Sequence, residues 1–301
     1  MAGSKITGDF ARWQATFRPR APNVNEVAVT GIGERLVMTK DNQGTWSATA
    51  GALKPDLYTY NFDLDGISIM DPANPLRKSG YASAGSSMVR VPGPSLVEPA
   101  PGARGVVAHH FYHSALIGDD RDYYVYTPPN YEPNRKEPYP VFFLLHGLGD
   151  DAVSWTNVGA ANNILDNLID SGRAKPMIMV NTLGYGNADG PTGASRPDMI
   201  PMFARALIEE VLPQVERQYH VARDRNSRAI AGLSMGGAEA FYTGLNHMDQ
   251  FAYVGSMSGA FVMWPRANSQ SPVPPAAAPR GAPGRGGRDW KLGISKRTFL
   301  S

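Results

Sequence analysis

Gly232-Leu233-Ser234-Met235-Gly236 sets a serine between two glycines at the spacing G-x-S-x-G. A serine so placed sits on a strained turn between a strand and a helix, with its hydroxyl exposed at the strand end. The flanks agree: Arg228-Ala-Ile-Ala is a short apolar run suited to a buried parallel strand, and Ala238 to Leu245 is rich in helix formers and free of proline. Ser234 is therefore the candidate nucleophile for acyl transfer. That chemistry needs two backbone N–H donors aimed at the developing oxyanion, and one belongs to the residue after the nucleophile, Met235. The other is expected on a loop after an earlier strand. His146-Gly147-Leu148-Gly149-Asp150-Asp151 follows the apolar run VFFLL at such a place, and Leu148 is chosen as the second donor. His146, at the strand end, is expected to brace this turn rather than to act as a base.

His109, His110 and His113 lie in the strand-like run VVAHHFYH, where 109 and 113 share a face. With no carboxylate partner evident in the sequence, they are expected to be packed or half-exposed rather than metal ligands. No metal and no cofactor are expected.

The elements that must hold these residues fall into two styles. Residues 13 to about 72 are short β-rich runs broken by turn residues: WQATFRPRA, EVAVTG, ERLVM, TWSATA and LYTYNFDLDGISI. Such spacing predicts a small β-sandwich. Tyr58, Tyr60 and Phe62 alternate on one strand face; with Trp46 they are expected to form its core, not a sugar-stacking strip. Asp71-Pro-Ala-Asn-Pro should end the unit, and residues 76 to 105 read as a linker. From about 106, apolar runs alternate with helical patterns: strands at 123–127, 141–146, 177–182, 228–231 and 252–258, helices near 160–171, 201–218 and 237–247. In the second helix Phe203, Leu207 and Val211 recur every four residues on one face. This alternation predicts an α/β domain with a doubly wound, mostly parallel sheet covered on both faces. The Pro/Gly/Ala/Arg-rich stretch 266–301 shows no periodicity and is expected to be disordered.

The chain has 301 residues and no cysteine, which excludes disulfides, thiolate metal sites and a cysteine nucleophile. The net charge of +2 is unevenly spread: residues 266–301 hold seven Lys/Arg and one Asp, leaving 22 basic against 26 acidic residues elsewhere. A mildly acidic body argues against nucleic-acid binding. No apolar run is long enough to span a membrane, and MAGSKITGDFARW lacks the apolar core of a secretory signal; the compartment stays open.

Together these stretches resemble the bacterial esterases of the esterase D type, the feruloyl and acetylxylan esterases preceded by an early-set, immunoglobulin-like sandwich. The resemblance runs from about 13 to 264 and is carried by FRPRAPNVNEV, GTWSA, LYTYNFDLDG, DPANP, YYVYTPPNYEP, YPVFFLLHGLGDDAVSW, ANNILDNLI, KPMIMV and RAIAGLSMGG. It implies an α/β-hydrolase domain with Ser234 as nucleophile, Leu148 and Met235 as oxyanion donors, and Asp150, Trp155 and the loop Leu183 to Asp198 rimming the cleft. The division it implies is a sandwich plus linker over 1–98, the esterase domain over 99–265 and the tail over 266–301.

One departure stands against this. In this fold the acid and then the histidine follow the nucleophile in the chain. Downstream of Ser234 the only histidine is His247, thirteen residues on at the far end of the helix that the serine starts, about 20 Å away at 1.5 Å per residue. Asp249 fails for the same reason and Asp289 lies in the tail. The expectation is an incomplete hydrolase domain with impaired turnover, truncated rather than evolved to inactivity. The substrate expected is a polysaccharide-linked or small aryl or acyl ester. Rival readings are a siderophore esterase of the enterochelin type, and a non-catalytic carbohydrate-binding protein with a dead hydrolase domain.

Overall fold

The computed structural model describes residues 13–81, 85–93, 95–99 and 101–265; the expectations for 266–301, Asp289 included, lie outside them. The first part is all β: β1 (Trp13–Phe17), β2 (Val27–Thr30), β3 (Leu36–Val37), β4 (Thr39–Lys40), β5 (Trp46–Leu53), β6 (Asp56–Leu64), β7 (Ile67–Ile69), β8 (Arg77–Lys78) and β9 (Ser86–Val91). They form two antiparallel sheets, β1-β5-β4 and β3-β2-β6-β9-β8, with β7 folded back on β6. Between the sheets lie Phe17, Val27, Val29, Trp46, Leu53, Tyr60, Phe62 and Val91, all buried. The aromatic strip of β6 faces inward: Tyr60 and Phe62 pack edge to face at 5.7 Å, Phe17 lies 4.7 Å from Tyr60, and Tyr58 packs against the same cluster. The Tyr60 hydroxyl donates to Asp71 Oδ2 at 2.7 Å, and burial pushes its pKa up to about 12. The polar tip of a buried tyrosine needs such a partner.

The linker expectation for 76–105 is corrected here, because β8 and β9 belong to the second sheet. Ser-Ser-Met-Val-Arg-Val turns Val89 and Val91 into the sandwich core on the same face as a buried Ser87, whose hydroxyl accepts the Asp71 N–H at 2.7 Å. A serine in an inward position and the flanking Gly, Ser and Pro residues hide this strand from a composition reading. The following segment does run between the two parts. Asn163 and Asn167 of α2 (Ala161–Asp170) donate to the carbonyls of Leu96, Val97 and Glu98 and staple it down.

The second part is one six-stranded sheet, β10-β11-β13-β12-β14-β15. Its strands are β10 (Val106–Ser114), β11 (Asp119–Thr127), β12 (Val141–Leu145), β13 (Ile178–Thr182), β14 (Arg228–Leu233) and β15 (Tyr253–Met257). The pairings β12–β13, β12–β14 and β14–β15 are parallel; β10–β11 and β11–β13 are antiparallel. Helices α1 (Ser154–Asn157), α2, α3 (Met199–Ala206), α4 (Leu212–Gln218) and α5 (Met235–Asn246) complete it. Every residue of β13 is buried, as a strand covered on both faces requires. The helix expected at 201–218 begins at Met199 and passes through one widened turn, Leu207–Val211, into α4. Pro213 lacks the N–H that would bond back one turn and so relaxes the helix there. Phe203, Leu207 and Val211 are all buried in the main core.

From β12 the chain goes to β13 on one side and then crosses to β14 on the other. The carboxyl ends of β12 and β14 therefore flank a topological switch point, where such sheets open a crevice.

Candidate active site

Ser234 links the end of β14 to the first turn of α5, with φ 53° and ψ −111°. Positive φ is uncommon for a residue with a side chain and persists only where the surroundings over-determine it. Here they do. The Ser234 N–H donates to Met257 O at 2.9 Å, and its own carbonyl accepts from Ala260 at 2.8 Å and Ala238 at 3.1 Å. Helix and strands come so close that a Cβ on Gly232 would meet Gly236 backbone at 2.3 Å, and one on Gly236 would meet the carbonyl of His146 at 2.5 Å. Those two positions admit only glycine, a packing reason for the motif beside the chemical one.

Met235 is fully buried and opens α5, where the first N–H groups have no intrahelical acceptor and the helix dipole is positive. Across from it, the turn after β12 closes through Asp150 N–H to Gly147 O at 3.2 Å. A Cβ on Gly147 would lie 3.7 Å from Ser234 Cβ, so this turn is the near wall of the serine's surroundings. Leu148 is its next residue, with a side chain 50% exposed, followed by Gly149 at φ 88°. The structure thus brings Ser234, Met235 and Leu148 to one end of the sheet.

His146 is buried beneath this turn with both ring nitrogens engaged: Nδ1 pairs with Gly147 O at 2.8 Å and Nε2 accepts the Gly184 N–H at 2.9 Å. That pattern assigns the proton to Nδ1. Burial holds its pKa below the ordinary value, so it is a neutral brace. Tyr185 adds a second clamp. Its hydroxyl accepts from Gly149 N–H at 2.8 Å and donates to Asp150 O at 3.1 Å, and burial raises its pKa.

A cleft of about 180 Å³ beside the serine is lined by Gly147, Asp150, Ser154, Trp155, Gly159 and Leu233, together with Lys78 from β8. Asp150 and Trp155 therefore both border it. The Trp155 indole N–H donates to Leu145 O at 2.8 Å, which fixes the ring at the end of β12. The loop Leu183 to Asp198 divides: Leu183, Tyr185 and Asn187 are buried under the site, while residues 194–197 border a second groove with residues 262–265.

The remaining imidazoles point elsewhere. His109 pairs with Asp122 at 2.7 Å, His113 with Asp120 at 2.8 Å, His110 with the Tyr219 hydroxyl at 2.6 Å and His220 with Arg135 O at 2.9 Å. The absence of carboxylates near the β10 histidines, expected from the sequence, is corrected: antiparallel pairing sets Asp120 opposite His113, and Asp122, opposite Phe111, lies diagonal to His109 and reaches it. No three metal-ligating side chains converge among the described residues. His247 and Asp249 lie beyond the far end of α5, whose twelve residues separate them from Ser234. Among the described residues no histidine hydrogen-bonds to Ser234.

Three residues near the site escape the sequence reading. Lys78 and Tyr185 arrive from segments read as linker and rim. Glu239, on the sheet-facing side of α5, is completely buried with both carboxylate oxygens lacking a hydrogen-bond partner. Burial drives its pKa well above the usual carboxylate range against the pull of buried Arg121. Arg121 alternates inward with Tyr123 and Val125 on β11, a breach of apolar alternation that was a usable signal.

Comparison with known proteins places this geometry. A model of the family described as "Putative esterase" matches residues 114–283. An endo-1,4-beta-xylanase/feruloyl esterase of Xylanibacter ruminicola is 32% identical over 260 residues, 83% of this chain and 35% of the relative. Endo-1,4-beta-xylanase Y of Acetivibrio thermocellus is 30% identical over 179 residues, 56% of this chain and 15% of the relative. The chain thus spans about a third or less of the curated relatives it matches. Among solved structures, the enterobactin esterase of Shigella flexneri superposes with a TM-score of 0.63 at 20% identity, over 88% of this chain and 75% of that one. The shared fold is of the α/β-hydrolase type.

Proposed function

Because the chain belongs to this esterase family, we propose that it is a serine carboxylic-ester hydrolase releasing feruloyl or acetyl groups from plant cell-wall polysaccharide. The observation that carries the reading is Ser234, held at positive φ over the start of α5 with the Gly147–Leu148 turn against it. In this reading Ser234 Oγ attacks the ester carbonyl carbon, and its proton passes by way of water to the oxygen of the leaving alcohol. The carbonyl oxygen gains charge facing the N–H groups of Leu148 and Met235. Collapse breaks the ester C–O bond, the alcohol leaves, and water then releases the acid from the acyl-enzyme. Asp150 and Trp155 border the space for the acyl group. The names of the xylanase relatives support a cell-wall substrate. We assign residues 1–98 to an early-set, immunoglobulin-like unit with its linker, 99–265 to the hydrolase domain and 266–301 to a tail; the two facing antiparallel sheets support the first assignment.

The test is a panel of methyl ferulate, acetylated xylan and ferric enterobactin, with a fluorophosphonate probe, on the parent chain and Ser234→Ala. The expected result is slow probe labelling and slow release of ferulate or acetate, both lost in Ser234→Ala with folding unchanged. Slow turnover is expected because no imidazole meets Ser234 among the described residues; losing the histidine costs a serine protease about 10⁶-fold in kcat, while the oxyanion hole retains about 10³ to 10⁴ over water. Turnover that survives Ser234→Ala would overturn the nucleophile, and preference for ferric enterobactin would overturn the substrate class.

A further inference from the structure

The N-terminal sheet ends in a two-residue edge strand, β8, and that edge is pressed against the turn beside Ser234. Four contacts join them. Lys78 Nζ lies 3.0 Å from Asp150 Oδ1, with both side chains only partly exposed. The Tyr81 N–H donates to Gly149 O at 3.1 Å. Asn157 Nδ2, on α1 behind the turn, donates to Arg77 O at 2.6 Å. The Tyr81 ring packs 5.2 Å from the ring of Tyr185, the residue that grips Gly149 and Asp150 from below.

Gly149 at φ 88° makes the turn flexible by composition, and Leu148 at its crest is half-exposed. A donor that stabilises a developing charge is effective only when it is fixed beforehand. Tyr185 holds the turn from the hydrolase side, and β8 holds its outer side. We propose that β8 is a working part of the acyl site, with Lys78 and Tyr81 as positioning residues that fix the Gly147–Asp150 turn so that the Leu148 N–H faces the cleft. The N-terminal unit thereby controls the rate of the chemical step, not only where the substrate docks. This rests on the esterase reading given above for its kinetic consequence, but not for the coupling between the two parts.

The experiment measures amide hydrogen exchange at Tyr81, Gly149 and Asp150 in the whole chain, with aryl-ester kcat and KM alongside, in Lys78→Met, Tyr81→Ala and the charge swap Lys78→Asp with Asp150→Lys. Loss of a half-exposed ion pair should speed exchange at Gly149 and Asp150 about two- to fivefold, leave β12 amides unchanged, and lower kcat with little change in KM. The swap should recover most of the protection. Unchanged exchange and unchanged kcat in both single variants would overturn the proposal, as would slower turnover expressed only in KM. Faster exchange in a chain that hydrolyses no ester at all would uphold the coupling and sink the esterase reading instead.

Discussion

Two loops reach Ser234 from strands on either side of β14, and they are built differently. The turn after β12, residues 146–151, is held from several sides: by His146 through both nitrogens, by the Tyr185 hydroxyl, by Lys78 and the Tyr81 N–H from the β8 side, and by the close approach of Gly236. The segment after β15, residues 258–265, is tied to Ser234 by the Ala260 N–H alone among the described hydrogen bonds to that residue's carbonyl from this side. It carries Phe261 about half exposed against Phe241 and Val262 91% exposed. The difference teaches that stabilising an oxyanion and moving a proton make separate demands. Donors must be immobile, so their loop is pinned by hydrogen bonds from below and from the β8 side. The proton-transfer side needs an imidazole, and the described residues set none there.

The contrast is open to attack first at its tightest point. Gly236→Ala would drive a methyl into the carbonyls of Leu145 and His146, at 2.5 to 2.7 Å, and force α5 away from β12. The expected cost is about 2 to 3 kcal/mol of stability, read as a lower denaturation midpoint with loss of fluorophosphonate labelling. A variant as stable as its parent would show that the turn is not pinned.

His146→Gln comes next, at about 1 to 2 kcal/mol near pH 8. Its pH dependence carries the sharper signature. The folded pKa lies below the ordinary 6.5, so the unfolded chain binds the extra proton. The stability from the neutral imidazole is complete above about pH 6.5 and is lost as pH falls from there towards the folded value. Denaturation midpoints between about pH 8 and 5 should therefore fall less steeply in the variant than in the parent. Glu239 acts with the opposite sign, since its raised pKa contributes stability below the ordinary carboxylate value that is lost as pH rises. It is present in both chains and cancels from their difference. Parallel curves would mean His146 is not buried neutral.

The smallest effect is expected on the other loop. Val262→Ser should change stability by no more than about 0.5 kcal/mol and leave labelling of Ser234 intact, measured in the same two assays. A large loss there would mean the segment is held as firmly as the turn after β12 and would dissolve the contrast.

Much of this was legible because periodicity and turn chemistry are local. The strands β11 to β15 and the helices α2 to α5 follow from runs and periods of apolar residues, and the inward face of β6 follows from alternation of Tyr58, Tyr60 and Phe62. β8 and β9 were not legible, since Arg77-Lys78 has no pattern and β9 buries a serine. The partners of His109 and His113 were hidden for another reason: Asp122 and Asp120 face them only once the β10–β11 register is set. Glu239 sat unnoticed among helix formers, because nothing local marks which face of α5 meets the sheet.

The sequence by itself determined that Ser234 lies on a strand-to-helix turn, that a glycine turn follows an earlier strand, and that the next histidine along the chain, His247, stands a helix length away. These are statements about neighbours in the chain, and bond geometry decides them. Tertiary structure alone decided which two strand ends stand side by side, that the Gly184 N–H is the partner on the far side of the His146 ring, and that Lys78, seventy-two residues before Asp150, closes the cleft beside it. Those depend on the crossing order of the sheet and on docking two separately patterned units, and no window of the sequence contains both partners.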